Sequence, residues 1–519
     1  MLLRGLHATA RRGLSTAPSS PRSATVIGSG CFGVGAAYFL ARQGFQVTVL
    51  DKRDGVAQGT TWGNAASLRE SSYGASAGPG AVPNMLKSIW NHDGTYRLRL
   101  LTLATDTWLW RWGLRFLLTC GDKSAIGATE GFLRDHSPYF NRLTRTIAEA
   151  EGFASKVDAW ETGRDTMVVY VDCGADGKTD SAGDKPSDGT AAAYKAAKAK
   201  AAQPPPVPWA ATTALTPAEA AAREPSLRPT LKGAMAGAVH PPHDTLIDSQ
   251  GYTSQLAEVC KAKYGVRFVH GSHGTVTSLV HGAEGGVEAV QTADGTMHGS
   301  DVVVVASGAQ APRLLAPLGV DVPIYPVKGY SLTYDLGDDA TALSEEGAAP
   351  NGLLVVEPAQ MYVSRMGSRL RFTSIAEFSG WEEDAVAEDC VDVLRHRAES
   401  LFPAATKGRD AAVWCGGRPL TPDDRPVSGR MPAAANASNL YVHSGGGAYG
   451  WRVSMGVSQH LAAMIEDDGH APPAAEAMQQ ASKAPSLQAA EPRTSFEPSL
   501  LAVERFRQLP LWPKALFGW

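Results

Sequence analysis

Three glycines spaced as Gly28-Ser29-Gly30-Cys31-Phe32-Gly33 carry the most legible chemistry in this chain. A GxGxxG run suits the pyrophosphate of a dinucleotide. The first glycine allows a tight turn, the second lets backbone approach the phosphates, and the third lets a helix pack close to a strand. Asp51, further along, offers a carboxylate to a ribose diol. An acid at that place disfavours a 2′-phosphate, although Arg53 stands close by. Two later runs have the same small-residue character: Ala306-Ser307-Gly308-Ala309 and Gly445-Gly446-Gly447-Ala448-Tyr449-Gly450-Trp451. Such turns bring backbone N–H groups close to a ligand.

The flanking residues supply the elements that would hold these turns. Ala24-Thr25-Val26-Ile27 reads as a buried strand, Val34 to Arg42 as a helix with Gly44 past its end, and Gln46 to Leu50 as a second strand ending on Asp51. Strand, glycine turn, helix, strand and terminal acid in that order form the context that gives a GxGxxG its meaning. Strands are also expected at 266–269, 274–280, 286–291 and 301–306, the last running into the Ser307-Gly308 turn. Leu440-Tyr441-Val442 precedes the third glycine cluster, and a helix through 453–465 follows it.

The whole chain sets broad limits. Its 519 residues allow two or three domains. Apolar residues make up 44%, charged residues 19%, and the net charge of −4 gives no electrostatic case for nucleic acid. No run of about 18 apolar residues suggests a membrane-spanning helix. Cys31, Cys120, Cys173, Cys260, Cys390 and Cys415 are scattered without a CxxC pair, so neither a metal site nor a disulfide framework is expected. Residues 1–22 contain Arg4, Arg11, Arg12 and Arg22, several serines and no acid. That is the composition of a transit peptide, mitochondrial by its shortness or else plastid.

Other segments differ in kind. Trp108, Trp110 and Trp112 interleave with Arg111 and Arg115, as in a cap helix over a pocket, a membrane-surface helix or an aromatic core stripe. Residues 174–189 are charged, lack large apolar side chains and are expected to be disordered; 191–203 reads as a helix ended by Pro204. Residues 471–495 read as a linker, and 501–519 as an aromatic, basic tail that docks on the protein or touches a membrane.

Four further motifs carry a family resemblance. Tyr325-Pro326-Val327-Lys328-Gly329-Tyr330-Ser331 resembles the YPxKGYS segment of the small subunit of bacterial D-amino acid dehydrogenases. The stretch Gly417-Arg418-Pro419-Leu420-Thr421-Pro422-Asp423-Asp424-Arg425 through Arg430 is similar to that family's GxRPMTPDGxPxxGR. Gly445 to Trp451 resembles its GHGTLGW, and Thr61-Trp62-Gly63-Asn64-Ala65 its TSFANAG. Two departures stand out: Gly446 replaces the family histidine, and Asp424 replaces the glycine of TPDG.

The resemblance, within the D-amino acid oxidase-like flavoproteins, implies an α/β fold. It has a Rossmann-type FAD-binding domain assembled from discontinuous segments, with an inserted α+β antiparallel-sheet substrate domain. The implied division is 24–90, 235–320 and 412–470 for FAD, 91–234 and 321–411 for substrate, and 471–519 for linker and tail. The residues implied to hold non-covalent FAD are Gly28, Gly30, Cys31, Phe32, Gly33, Asp51, Lys52, Thr61, Asn64, Ala65, Thr275, Ala306, Ser307, Gly308, Gly417, Gly447, Ala448, Tyr449, Gly450 and Trp451.

The implied reaction is oxidation of a small amino acid, a D-amino acid by the resemblance, with electrons passing to a quinone or another acceptor. Arg418 is the expected clamp for the substrate carboxylate, since a guanidinium fork matches it with two parallel hydrogen bonds. Tyr330 and Tyr449 are expected to close the pocket. An O2-using oxidase of glycine, sarcosine or another secondary amine, and a non-catalytic flavoprotein that helps assemble a respiratory complex, remain alternatives.

Overall fold

The computed structural model describes residues 22–78, 80–83, 94–157, 166–172, 186–227, 234–283, 285–345, 348–470, 472, 487 and 497–506. The expected transit peptide lies outside the described residues except for Arg22, as do residues 174–185 of the insertion and nearly all of the 471–495 linker.

The fingerprint strands form a six-stranded sheet in the order Val427–Arg430, Leu440–Ser444, Val302–Val305, Ser23–Ile27, Gln46–Asp51, Arg267–His270. Every neighbouring pair is parallel except the edge pair of 427–430 with 440–444. Val302 to Val305 is buried throughout, the continuous apolar run expected of a parallel strand covered on both faces. The Cys31–Arg42 helix packs between the Ser249–Tyr264 and Gly450–Ile465 helices. It buries Val34, Tyr38, Phe39 and Leu40, each contributing about 1.5–3 kcal/mol. This packing fixes the first turn of the helix, and with it the glycine loop.

A second, nine-stranded sheet runs Ala411–Leu420, Tyr325–Asp335, Arg369–Phe378, Met361–Met366, Leu353–Glu357, Met167–Val171, Met235–His240, Thr213–Leu215, with Tyr96–Leu98 beside Arg369–Phe378. Most pairs are antiparallel, and the Glu388–Leu401 helix packs across one face. Two expected boundaries move. Met235–His240 and Ala411–Leu420 pair within this sheet, whereas the sequence division gives 235–320 and 412–470 to the FAD-binding part. The apolar pattern of a strand does not encode which sheet its hydrogen bonds will join.

Three other segments take definite places. Residues 186–189, the end of the stretch expected to be disordered, are ordered: Ser187 caps the Asp188–Ala201 helix, and its N–H and Oγ donate to Asp172 at 2.6 and 2.8 Å. The described part of the tail docks on the protein. Leu501, Val503 and Phe506 are buried, and the Arg505 guanidinium donates to both Asp423 oxygens at 2.9 and 3.1 Å. The tryptophan stripe on the Thr107–Gly121 helix splits three ways. Trp112 is buried and donates to Leu420 O, Trp108 packs on Trp381, and Trp110 is exposed.

Candidate active site

The two sheets meet at one cavity of about 1060 Å³. Its first half is made of backbone. Gly28 has φ +111°, and a Cβ there would collide with the Ala306 carbonyl; a Cβ on Gly33 would collide with the Gly28 carbonyl. Gly33 therefore packs the helix against the strand and does not line the cavity, although it was expected among the FAD contacts. Gly30 caps the helix without a side-chain hydrogen bond, leaving the helix N-terminus turned to the cavity. Asp51 accepts from Ser29 N and Oγ at 2.6 and 2.8 Å and from Arg53 N at 2.9 Å. Arg53 in turn pairs with Asp384 at 2.7 Å, so its charge is already answered.

Thr61 Oγ1 accepts from Cys31 N at 3.0 Å and ties the 60–65 turn to the glycine loop. Buried Arg371 donates to the carbonyls of Trp62 and Asn64 and pins that turn from the other side. Cys31, Phe32, Lys52, Asn64, Ala65, Thr275, Ala306, Ser307, Gly308, Gly417, Gly447, Ala448, Gly450 and Trp451 line the same cavity. Ser307 Oγ is buried there without a hydrogen-bond partner among the described residues. Gly446 cannot carry a side chain: an added Cβ would stand 2.6 Å from Gly450 Cα and 3.0 Å from the Phe32 ring. Behind Phe32, His443 lies between Ser428 and Ser458, and burial holds its pKa down to about 3.

The second half of the cavity is made of charged and aromatic side chains. Arg418 Nη1 donates to Ile375 O at 2.8 Å, and burial depresses its pKa against the opposing pull of Tyr362 and Tyr96. Gly329 makes room for it, since a Cβ there would collide with the guanidinium. Ile375, a β-branched residue at φ +65°, sits where the strand register slips, and this strained turn presents its carbonyl to Arg418. Arg69 donates to Asp244 at 3.0 Å and meets Tyr362. Arg452 is buried over the Tyr449 ring at 4.7 Å and donates to Arg69 O and Ser72 O. Tyr449 OH donates to Gly74 O at 2.5 Å, closing one wall with the 71–78 loop. Glu357 and Gln360 complete this half.

Tyr330 is elsewhere. It is buried in the core of the nine-stranded sheet, where its hydroxyl donates to Glu377 at 2.6 Å. Val327 stands opposite Arg418 and shares its face; Tyr330, three residues on, points to the other face. Sequence reasoning missed Arg69, Tyr96, Glu357, Gln360, Tyr362 and Arg452. Each is a single polar residue, Arg69 and Gln360 outside the regular elements and the others within strands or a helix, and leaves no local motif. Asp424 had one visible signal, its departure from the family glycine. It sits at φ +62° with Oδ2 accepting from Ser76 N at 2.5 Å and Oδ1 buried without a hydrogen-bond partner among the described residues. Burial raises its pKa to about 7, whereas adjacent Asp423 is held low by Arg505 and Arg425.

The family model for DAO, FAD dependent oxidoreductase, matches residues 23–464. The chain belongs to this family. FAD is the family's cofactor, and the cradle fits it: a glycine turn that admits no Cβ, a helix N-terminus turned to the cavity, Asp51 and a Ser307 Oγ with no partner among the described residues. Among curated relatives, the D-amino acid dehydrogenase of Methylobacterium radiotolerans is 31% identical over 449 residues, covering 86% of this chain and 96% of the relative. D-amino acid dehydrogenase 2 of Ralstonia nicotianae is 32% identical over 459 residues, covering 85% and 96%. The fold is similar to glycine oxidase from Geobacillus kaustophilus, with a TM-score of 0.57 at 20% identity over 86% of this chain and 95% of that one. It is also similar to L-proline dehydrogenase from P. horikoshii, at 0.57 and 16% over 94% and 98%. The curated D-amino acid dehydrogenase relatives are bacterial, which overturns the mitochondrial or plastid address inferred from the arginine-rich N-terminus. A basic, acid-poor leader is a compositional signal, and composition alone does not make an address.

Proposed function

We propose that this flavoenzyme is a D-amino acid dehydrogenase, the counterpart of the small subunit its motifs resemble. It converts a small D-amino acid to a 2-oxo acid and ammonia and passes the electrons to a quinone. The observation that carries this reading is Arg418. It is a half-buried guanidinium facing the cavity, with no carboxylate partner among the described residues and one hydrogen bond, to Ile375 O. An arginine so placed is complementary to a carboxylate that arrives with the substrate.

FAD, when bound, supplies the acceptor for the hydride that leaves Cα. The residues that would hold it are those of the glycine loop, Asp51, the 60–65 turn, Ser307-Gly308 and the 447–451 turn. In this reading Arg418 fixes the substrate by its carboxylate. Tyr362 and Tyr96 line its flank, and Tyr449 with the 71–78 loop keeps water from the reacting carbon. The implied division into FAD and substrate domains belongs to the same proposal, with its boundaries moved as above. Leu100, Leu101, Trp110, Leu117 and Leu118 are exposed on the 100–121 helices and offer a peripheral membrane contact near a lipid-soluble quinone.

Anaerobic mixing of the yellow protein with D- and L-amino acids tests the reading. D-amino acids should bleach the flavin and L-amino acids should not, and a soluble quinone should restore the colour faster than air. Bleaching by no amino acid would contradict the reading. Fast stoichiometric peroxide formation would make the protein an oxidase.

A further inference from the structure

Arg418 answers one charge of an amino acid zwitterion and leaves the other, the ammonium, unanswered. The cavity presents Arg69, Arg418 and Arg452, and of the three carboxylates among its described lining residues Asp51 is held by Ser29 and Arg53 and Glu383 by Gln310 and Lys52, which leaves Glu357. Glu357 ends the Leu353–Glu357 strand, opposite Tyr170 of the Met167–Val171 strand. Its side chain is half-buried and open to the cavity, and none of the described residues hydrogen-bonds its carboxylate. The groups facing it are Arg69 from the segment after Ser67–Leu68, Tyr96 from Tyr96–Leu98 and Tyr170. Tyr96, which meets Gln360, feels the Glu357 and Asp424 carboxylates and the Arg418 guanidinium.

We propose that Glu357 receives the substrate ammonium and takes one proton from it before the Cα–H bond breaks. This rests on the amino-acid reading above. An ammonium nitrogen has no lone pair to form C=N, so hydride loss from the neighbouring carbon requires the neutral amine. The balance is complete. One proton passes from nitrogen to the Glu357 carboxylate. The Cα–H electron pair leaves as hydride to the oxidant that the family's cofactor supplies. The nitrogen lone pair forms C=N, and water converts the iminium acid to the 2-oxo acid and ammonium. Burial raises the Glu357 pKa while Arg69 opposes the rise, and a raised pKa makes the carboxylate a better proton acceptor.

Glu357→Gln keeps the shape and removes the base. At neutral pH its anaerobic flavin reduction by a D-amino acid should slow about 10²- to 10⁴-fold. The deficit should shrink as pH rises, because the amine then reaches the site already neutral. Glu357→Asp should recover part of the wild-type pH profile. A second readout needs no turnover: 2-aminoisobutyrate has the ammonium and carboxylate but no Cα hydrogen, and isobutyrate has only the carboxylate. Glu357→Gln should weaken 2-aminoisobutyrate binding about 10- to 100-fold and leave isobutyrate binding nearly unchanged. A deficit equal at every pH, an unchanged profile, or parallel weakening of both ligands would overturn the proposal. Wild-type protein bleached by no amino acid would refute the functional reading, and the two binding measurements would still decide the role of Glu357.

Discussion

Around Gly28 the cavity wall is backbone; around Arg418 it is charged and aromatic side chains. The first wall is stiff because its neighbours touch. Gly28, Gly33 and Ala306 stand so close that no Cβ fits at either glycine, and the Cys31–Arg42 helix behind them is almost fully buried. The second wall holds its charges at a cost. Among the described residues Arg418 and Arg452 are desolvated without carboxylate partners and one buried Asp424 oxygen has no hydrogen-bond partner, while Ile375 occupies positive φ. The contrast fits two kinds of ligand. A resident cofactor is met by a preformed cradle, and a transient, charged substrate by groups whose partner is absent until it arrives.

The largest effect should come from the stiff wall. Gly28→Val puts a branched side chain into the Ala306 carbonyl at a φ that β-branched residues do not adopt, so the purified protein should carry no flavin absorbance. A yellow Gly28→Val protein with normal FAD content would show that the wall yields, and the comparison would break.

A smaller effect should come from the charged wall. The Asp424 pKa is raised to about 7, above its unfolded value, so the native state holds an extra proton between about pH 4 and 7. Its ionisation therefore lowers stability as pH rises through that window, and the cost is fully present above pH 7. Asp424→Asn keeps an acceptor for Ser76 N–H and tolerates positive φ. It should stabilise the protein by about 2–4 kcal/mol at pH 8 and by little near pH 4 in denaturant titrations. Equal effects at both pH values would show that the Asp424 carboxylate is solvated or paired in solution.

Legibility in the sequence follows the same division. The cofactor half was readable because Gly28, Gly30, Gly33 and Asp51 act through turn, helix and strand positions close along the chain. The substrate half draws Arg69, Tyr96, Glu357, Tyr362, Arg418 and Arg452 from six separate segments, and their meeting is a product of sheet order. Arg418 was found through a motif, and Tyr330, in the motif opposite it, was misplaced by the two-residue alternation of the strand. The docking of 497–506 rests on Leu501, Val503, Phe506 and the Arg505–Asp423 pair, a contact between residues far apart in sequence.

Binding of the substrate carboxylate by Arg418 is tested most directly by one comparison. Anaerobic flavin reduction by a D-amino acid and by the amine lacking its carboxylate should be measured for wild type, Arg418→Lys and Arg418→Ala. Removing one partner of a buried charge pair costs about 2–5 kcal/mol, so kcat/KM of Arg418→Ala for the amino acid should fall roughly 30- to several-thousand-fold. Arg418→Lys should fall less, because it keeps the charge without the fork. Reaction with the carboxylate-free amine and FAD content should change little. Full activity of Arg418→Ala on the amino acid, or equal losses on both substrates, would contradict the account.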